Sequence, residues 1–227
     1  MGKDNPANDF SLPDILIPYP LSQPHSRWKK RLLDVVGALF IIIFILTWLI
    51  PILAALLLID GGPPIFFLQK RVGHNNKVFC CFKLRTMNKS SANETEKISK
   101  LGWVLRYLKL DETPQFFNVL KGEMSLVGPR PHTLEDHFDF KGRIGSRYEL
   151  RQQVKPGITG LAQINGYEGP VNSAEKLIGR VNYDLKYINI WSIGLDIKIM
   201  GQTVLYILKL FFKKLFNKQL DKIIKKG

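Results

Sequence analysis

From Val35 to Ile59 the chain reads VVGALFIIIFILTWLIPILAALLLI, a run without a single charge. A straight helix of that length measures roughly 37 Å, against about 30 Å for the hydrocarbon core of a bilayer, so the run predicts a membrane helix. It is too long, and starts too far into the chain, for the apolar region of a cleaved signal peptide. Pro51 lies inside it, where the missing N–H and the ring predict a kink. Basic residues flank both ends, with Arg27, Lys29, Lys30 and Arg31 before it and Lys70, Arg71, Lys77 and Lys83 after it. Such flanks belong to the cytosol, so both ends claim the same side. A helix that enters and returns satisfies them. A kinked span is the alternative, because proline is tolerated in spanning helices.

Residues 1–26 are rich in Pro and Asn and predict an irregular arm; the membrane segment with its flank occupies 27–60. DGGPP then marks a turn, and IFFLQKRV and KVFCCFKLRTM predict a hairpin closed by the polar GHNN turn. Polar residues 88–98 predict a loop. From Leu101, LGWVLRYL has apolar residues at helical spacing. A second helix is expected behind the acidic pair Asp111–Glu112, with Thr113 as N-cap, Pro114 at its first position and Gly122 past its end. MSLV predicts a short strand, and VKPGITGLAQINGY a Pro-Gly loop whose glycines permit close approach of a ligand. Near the C-terminus Leu208, Phe212, Leu215 and Phe216 recur at helical spacing with lysines between them, the pattern of a helix in the headgroup layer. Docking on the protein explains the same pattern. Together these elements predict an α+β, helix-rich domain over 61–205, with one small hairpin and a basic amphipathic helix over 206–227.

Charge narrows the partners. The chain has 33 Lys and Arg against 19 Asp and Glu, a net +14, which points to nucleic acid, anionic lipid or a phosphorylated substrate. No helix-turn-helix, zinc or RNA-binding signature accompanies the charge, so nucleic acid is set aside. Cys80 and Cys81 are adjacent and form neither an ordinary disulfide nor a CxxC motif, which suits a reducing cytosol.

Against this positive background the stretch LDETPQFFNVLKGEMSLVGPRP places Asp111 and Glu112 side by side. Carboxylates at a helix start are worth about 0.3–1 kcal/mol through the macrodipole, and that alone accounts for them. Arg130 is held extended between Pro129 and Pro131, which suits a guanidinium aimed at phosphate, although a rigid turn explains it equally. His132 and His137, with Glu135, Asp136 and Asp139, admit a transition-metal site or a solvated polar loop.

The ordered series KRLLD, GPPIFFLQKRVG, FKLRTM, LDETPQFFNVLKGEMSLVGPRP, KPGITGLAQINGY and YDLKYINIWSIGLDIKIM strongly resembles the bacterial polyprenyl-phosphate sugar phosphotransferases, the monotopic phosphoglycosyl transferases, over residues 28–205. The resemblance implies transfer of a phosphosugar from a UDP-sugar to undecaprenyl (polyprenyl) phosphate, with release of UMP. It places the reaction on the cytosolic face of the bacterial inner membrane, as the first membrane step of glycoconjugate or polysaccharide synthesis. It favours a re-entrant membrane helix, although Ile50 precedes Pro51 where many members have Ser.

By the same resemblance Asp111 is the nucleophile of a covalent aspartyl-phosphosugar, and Glu112 with Asp111 holds Mg²⁺. A carboxylate near a helix start is expected to stay ionised, and a hard dication relieves the repulsion between neighbours. Lys83, Arg85, Arg106 and Arg130 match positions suited to binding the diphosphate, Arg130 and Arg85 foremost. Asp184 joins these substrate-binding candidates, and Tyr187 matches a family position without an assigned role. The expected partners are UDP-sugar, polyprenyl phosphate and anionic lipids. Two rivals are a conventional glycosyltransferase releasing UDP and a catalytically silent membrane scaffold, which would not need LDE and PRP together.

Overall fold

The apolar run is one helix from end to end. A computed structural model of the chain describes residues 18–89 and 96–224, so most of the N-terminal arm lies outside the described residues. Helix α1 (Pro24–Ile41) passes through a π segment (Ile42–Leu46) into α2 (Thr47–Gly61). Pro24 sits at the start of α1, where a missing N–H costs nothing. The irregularity expected at Pro51 falls upstream. Pro51 cannot donate to the Thr47 carbonyl and its ring crowds it, and the helix has already widened over the turn before that carbonyl. A hydroxyl also supports the widened turn, from Thr47 rather than position 50: Thr47 Oγ1 donates to the Ile42 carbonyl at 2.9 Å.

One stripe of this helix packs on the rest of the protein: Lys30, Asp34 and Ala38 in α1, Leu46 at the π segment, Leu53 and Leu57 in α2. The other faces leave Phe44, Trp48, Ile52 and Ile59 exposed. In its most apolar window only 17% of the residues are buried, and the helix is long and apolar enough to cross a membrane. A soluble core helix would hide most of that surface.

Strands β1 (Phe66–Val72) and β2 (Val78–Leu84) form the predicted antiparallel hairpin, with Phe66 opposite Leu84 and Val72 opposite Val78. Asn75 and Asn76 take left-handed backbone in its turn, which Asn tolerates better than most residues. The polar stretch read as a loop carries a second ladder, β3 (Met87–Lys89) against β4 (Glu96–Ile98). Main-chain pairing needs no apolar pattern, so hydropathy does not reveal it. Ser99 then caps α3 (Lys100–Tyr107) by accepting from the Gly102 N–H.

Between α3 and α4 (Gln115–Lys121) the acidic pair lies in a tight 3-10 turn, Leu110–Glu112. The expected N-cap is corrected here. Thr113 is helical, and its hydroxyl donates back to the Leu110 carbonyl at 2.8 Å, so Pro114 occupies the cap position and α4 starts one residue later. Gly122 ends α4 at φ +83°, as expected of a C-terminal glycine. The Pro-Gly loop is also corrected: β5 (Ser125–Val127) pairs in parallel with β6 (Gly157–Thr159), and α7 (Leu161–Ile164) follows. Its glycines admit the chain itself, since a Cβ on Gly157 would lie 2.1 Å from the Gly128 nitrogen.

Helices α5 (Leu134–Ile144), α6 (Ser146–Leu150) and α8 (Ala174–Ile190) complete the domain. Thr133 caps α5, so Glu135, Asp136, His137 and Asp139 lie on a helix rather than in a loop, and both His132 and His137 are buried. Val181, Leu185 and Ile188 of α8 centre the core with Val119, Met124, Val127 and Ile199. The last helix, α9 (Ile193–Ile224), runs without a break through the boundary expected at 205/206. Residues 225–227 lie outside the described residues.

Candidate active site

The fold brings cations from three separate elements onto the acidic turn. Lys83, near the end of β2, places Nζ 3.1 Å from Glu112 Oε1. Arg130, three residues beyond β5, grips the same carboxylate with both arms, Nη1 to Oε2 at 3.1 Å and Nη2 to Oε1 at 2.5 Å. Arg106 of α3 is near enough to lower the Asp111 pKa, and its Nε donates to Thr86 Oγ1 at 2.7 Å. Burial pushes the Glu112 carboxyl up, but Arg130 and then Lys83 outweigh it and leave it far below the usual carboxylate range. Glu112 in turn raises the Arg130 guanidinium.

Asp111 has the opposite character. It is 8% exposed and, among the described residues, its carboxylate has no hydrogen-bond or ion-pair partner. Burial first, and the Glu112 charge second, raise it above its ordinary value, although Lys83, Arg106 and Arg130 pull it back. Desolvation rather than a helix dipole sets the direction of its shift, because the turn precedes a helix of only seven residues.

The PRP segment is rigid for reasons beyond its prolines. The Pro129 carbonyl accepts from Gly157 N at 2.9 Å and the Arg130 carbonyl from Arg151 Nη2 at 2.7 Å. Arg71 Nη1 binds the Pro131 carbonyl, and Val72 N donates to that of His132 at 3.0 Å. Arg151 is fixed from behind by Asp184, at 2.8–2.9 Å. His132 lies among Tyr148, Arg151 and Arg180, and burial with those arginines holds its pKa well below normal. An imidazole ringed by guanidiniums is a poor metal ligand, which disfavours the transition-metal alternative.

The structure thus brings together Asp111, Glu112, Lys83, Arg106 and Arg130. Arg85 and Asp184 are placed elsewhere. Arg85 donates to the Gly62 and Pro63 carbonyls and braces the turn between α2 and β1. Asp184 meets Arg151, and Tyr187 donates to the Val127 carbonyl and meets Asp196. Sequence reading missed Arg71 and Arg151, which hold the PRP backbone. Arg71 lies in the quoted QKRVG block and was within reach, whereas Arg151 in RQQV carries no local signal.

Beside the acidic turn opens a cavity of about 880 Å³. Phe40, Ile41, Ile45 and Leu49 of the apolar helix line one wall, and Met200, Val204 and Ile207 of α9 another; Glu112 and Arg130 also line it. Glu168 ties its rim, pairing with Lys109 at 3.2 Å and accepting from the Tyr206 hydroxyl at 2.7 Å.

Residues 25–210 match the bacterial sugar transferase family. The chain belongs to that family. Among curated relatives it is 42% identical over 198 residues to the UDP-glucose:undecaprenyl-phosphate glucose-1-phosphate transferase of Klebsiella pneumoniae, covering 83% of this chain and 40% of that protein. It is 36% identical over 193 residues to the protein of the same name from Caulobacter vibrioides, covering 82% of this chain and 72% of that one. An Aeromonas hydrophila protein named for N-acetylgalactosamine phosphotransfer to undecaprenyl phosphate is 36% identical over 199 residues, 83% of this chain and 45% of the relative. The chain spans about two-fifths of the length of the Klebsiella relative. Within this bacterial sugar transferase the matched region contains the acidic turn, the cations around it and the apolar helix.

Proposed function

We propose that this sugar transferase moves a phosphosugar from a UDP-sugar to a polyprenyl phosphate and releases UMP. One observation carries the reading: a buried carboxylate, Asp111, without a hydrogen-bond partner among the described residues, sits among three cations, beside an apolar cavity walled by the membrane helix. A diphosphate needs the cations and a prenyl chain needs the apolar wall. The names of the relatives support both substrates.

Asp111 attacks the phosphorus that carries the sugar, the bond to the bridging oxygen breaks, and UMP departs with the electron pair. An oxygen of the acceptor phosphate then attacks the same phosphorus and returns the Asp111 carboxylate. Desolvation leaves Asp111 less hydrated and so a better nucleophile, while Arg130, Lys83 and Arg106 offset charge on the phosphoryl oxygens. The two carboxylates suit a hard, oxygen-seeking dication: Asp111 has open oxygens and a charge that a cation would relieve, and Glu112 is preorganised beside it. Asp111 and Glu112 would hold Mg²⁺, which would supply Lewis-acid neutralisation of the diphosphate.

The re-entrant reading has structural support. A straight helix of the 38 residues Pro24–Gly61 would extend about 57 Å. Lys30 near its start binds Asp196 of α9, and Leu53 and Leu57 near its end pack with Leu84 and Leu105 of the same domain. Two ends that rest on one domain belong on one face of the membrane, the cytosolic face by their basic flanks.

The test is enzyme with UDP-sugar and Mg²⁺ before any acceptor is added. UMP should appear in an amount matching the enzyme, with a phosphosugar on Asp111 by rapid-quench mass spectrometry. UDP release would mean an ordinary glycosyltransferase, and no nucleotide release across a panel of UDP-sugars a silent scaffold.

A further inference from the structure

A second cavity, of about 470 Å³, opens at the cytosolic end of α1 and shares no lining residue with the first. Arg27, Lys30, Arg31 and Lys155 line it, with Trp28 at its edge. Its two nearby carboxylates are already engaged. Asp196 is wholly buried, binding Lys30 Nζ at 2.7 Å, Tyr187 at 2.9 Å and Trp191 at 3.0 Å. Asp34 accepts from Ser125 Oγ at 2.8 Å and the Leu126 N–H at 2.9 Å. Arg31 is spent on the Val119 and Leu120 carbonyls at the end of α4. Among the described residues, Arg27 and Lys155 have no partner. Two cations nonetheless converge: a Cβ on Gly122 would lie 3.5 Å from Lys155 Nζ and 3.6 Å from Arg31 Nη2. Burial, and then Arg31, lower the Lys155 pKa, and Asp34 offsets this only in part, so a further anion there would relieve a standing cost.

Depth along α1 identifies the anion. The cavity sits at the last charged turns before the uncharged run begins at Val35, with Trp28 66% exposed beside it. Where the helix enters a bilayer that level is the headgroup layer, in which tryptophan and basic side chains gather. We propose that this cavity is a phosphate site for the headgroup of an anionic phospholipid, with Arg27 and Lys155 on the phosphate and Trp28 against the glycerol and upper acyl chain. The inference rests on membrane attachment through the apolar helix, and not on the reaction proposed above. The site also bears on the active-site loop. Lys155 immediately precedes Pro156, whose carbonyl accepts from Ser125 N at 2.8 Å, and Gly157, whose N–H holds Pro129. A bound headgroup therefore braces the strand pair that carries Arg130.

Native mass spectrometry of the full chain, released from nanodiscs of mixed phosphatidylglycerol and phosphatidylcholine, tests this. The wild type should retain phosphatidylglycerol selectively. Arg27→Gln and Lys155→Gln should each weaken that retention about fivefold. Lys29→Gln, on the same helix but outside the cavity, should leave it unchanged. Equal loss in all three variants would reduce the effect to general surface charge and overturn the site. Displacement of the lipid by low concentrations of inorganic phosphate would mean a free-anion site and overturn the lipid assignment. A large fall in melting temperature for Arg27→Gln or Lys155→Gln would make these residues structural, which also defeats it. Attachment to pure phosphatidylcholine vesicles should survive in every variant; its absence in the wild type would refute membrane attachment itself.

Discussion

Replacing Asp184 by Asn separates two readings of that residue, a substrate ligand and a positioning group behind Arg151. The Asp184 and Arg151 side chains are 2% and 1% exposed, and a hydrogen bond at 2.9 Å and a second ion-pair contact at 2.8 Å join them. Removing one partner of a buried ion pair leaves an uncompensated charge and costs about 3–5 kcal/mol. Arg151 keeps its bonds to the Arg130 carbonyl and His132, which sets the expectation near the lower end, about 3 kcal/mol. For a domain of this size each kcal/mol moves the melting temperature by about 2–4 °C, so a fall of about 6–12 °C is expected. Intrinsic tryptophan fluorescence in detergent reads it without a label. Asp184→Leu combined with Arg151→Met, which removes both charges and keeps volume, should recover most of the loss. An unchanged melting temperature for Asp184→Asn, with a raised KM for UDP-sugar, would refute the positioning role and restore Asp184 as a substrate ligand.

Asp111→Asn should abolish turnover yet raise the melting temperature at neutral pH, because it deletes a buried carboxylate whose pKa the fold raises. The sign follows: a group with a raised folded pKa opposes folding once pH rises through it, so the gain should vanish on acidification as wild-type Asp111 becomes protonated, and a pH series of melts checks this. Glu112 acts the other way. Its depressed pKa adds stability above the ordinary carboxylate value that is lost as pH falls below it, and Glu112→Gln should flatten that acid limb. Pro51→Ala returns a backbone donor to the Thr47 carbonyl and should move part of the population into a spanning form; cysteine reporters at positions 23 and 77 in intact and opened cells would then differ in accessibility. Deleting residues 208–227 should make binding to anionic vesicles less salt-sensitive, and unchanged salt dependence in a flotation assay would mean that the distal part of α9 docks on protein.

Local physics determined much of this molecule from sequence alone. The uncharged run from Val35 to Ile59, the hairpin around the GHNN turn, α3, the strand at Ser125–Val127 and the glycine end of α4 follow from hydropathy, turn chemistry and caps acting over a few residues. The acidic pair and the PRP arginine were legible because they share one ordered block. Where local rules competed, tertiary contacts decided. Thr113 could cap a helix or close a 3-10 turn, and took the Leu110 carbonyl. The glycines of KPGITG could face a ligand, but meet the backbone of Gly128, just past the parallel strand. Arg85 and Arg130 look alike in sequence, yet one binds the carbonyls of a turn and the other a carboxylate. Long-range pairing separates Asp111 from Glu112, which are equally buried. Identical charge and adjacent position do not predict that one side chain meets Arg130 and Lys83 while its neighbour is desolvated and, among the described residues, without a hydrogen-bond partner. That difference depends on the placement of β2 and of the loop after β5, with Lys83 29 residues before Glu112 and Arg130 18 residues after it, a meeting no local pattern records.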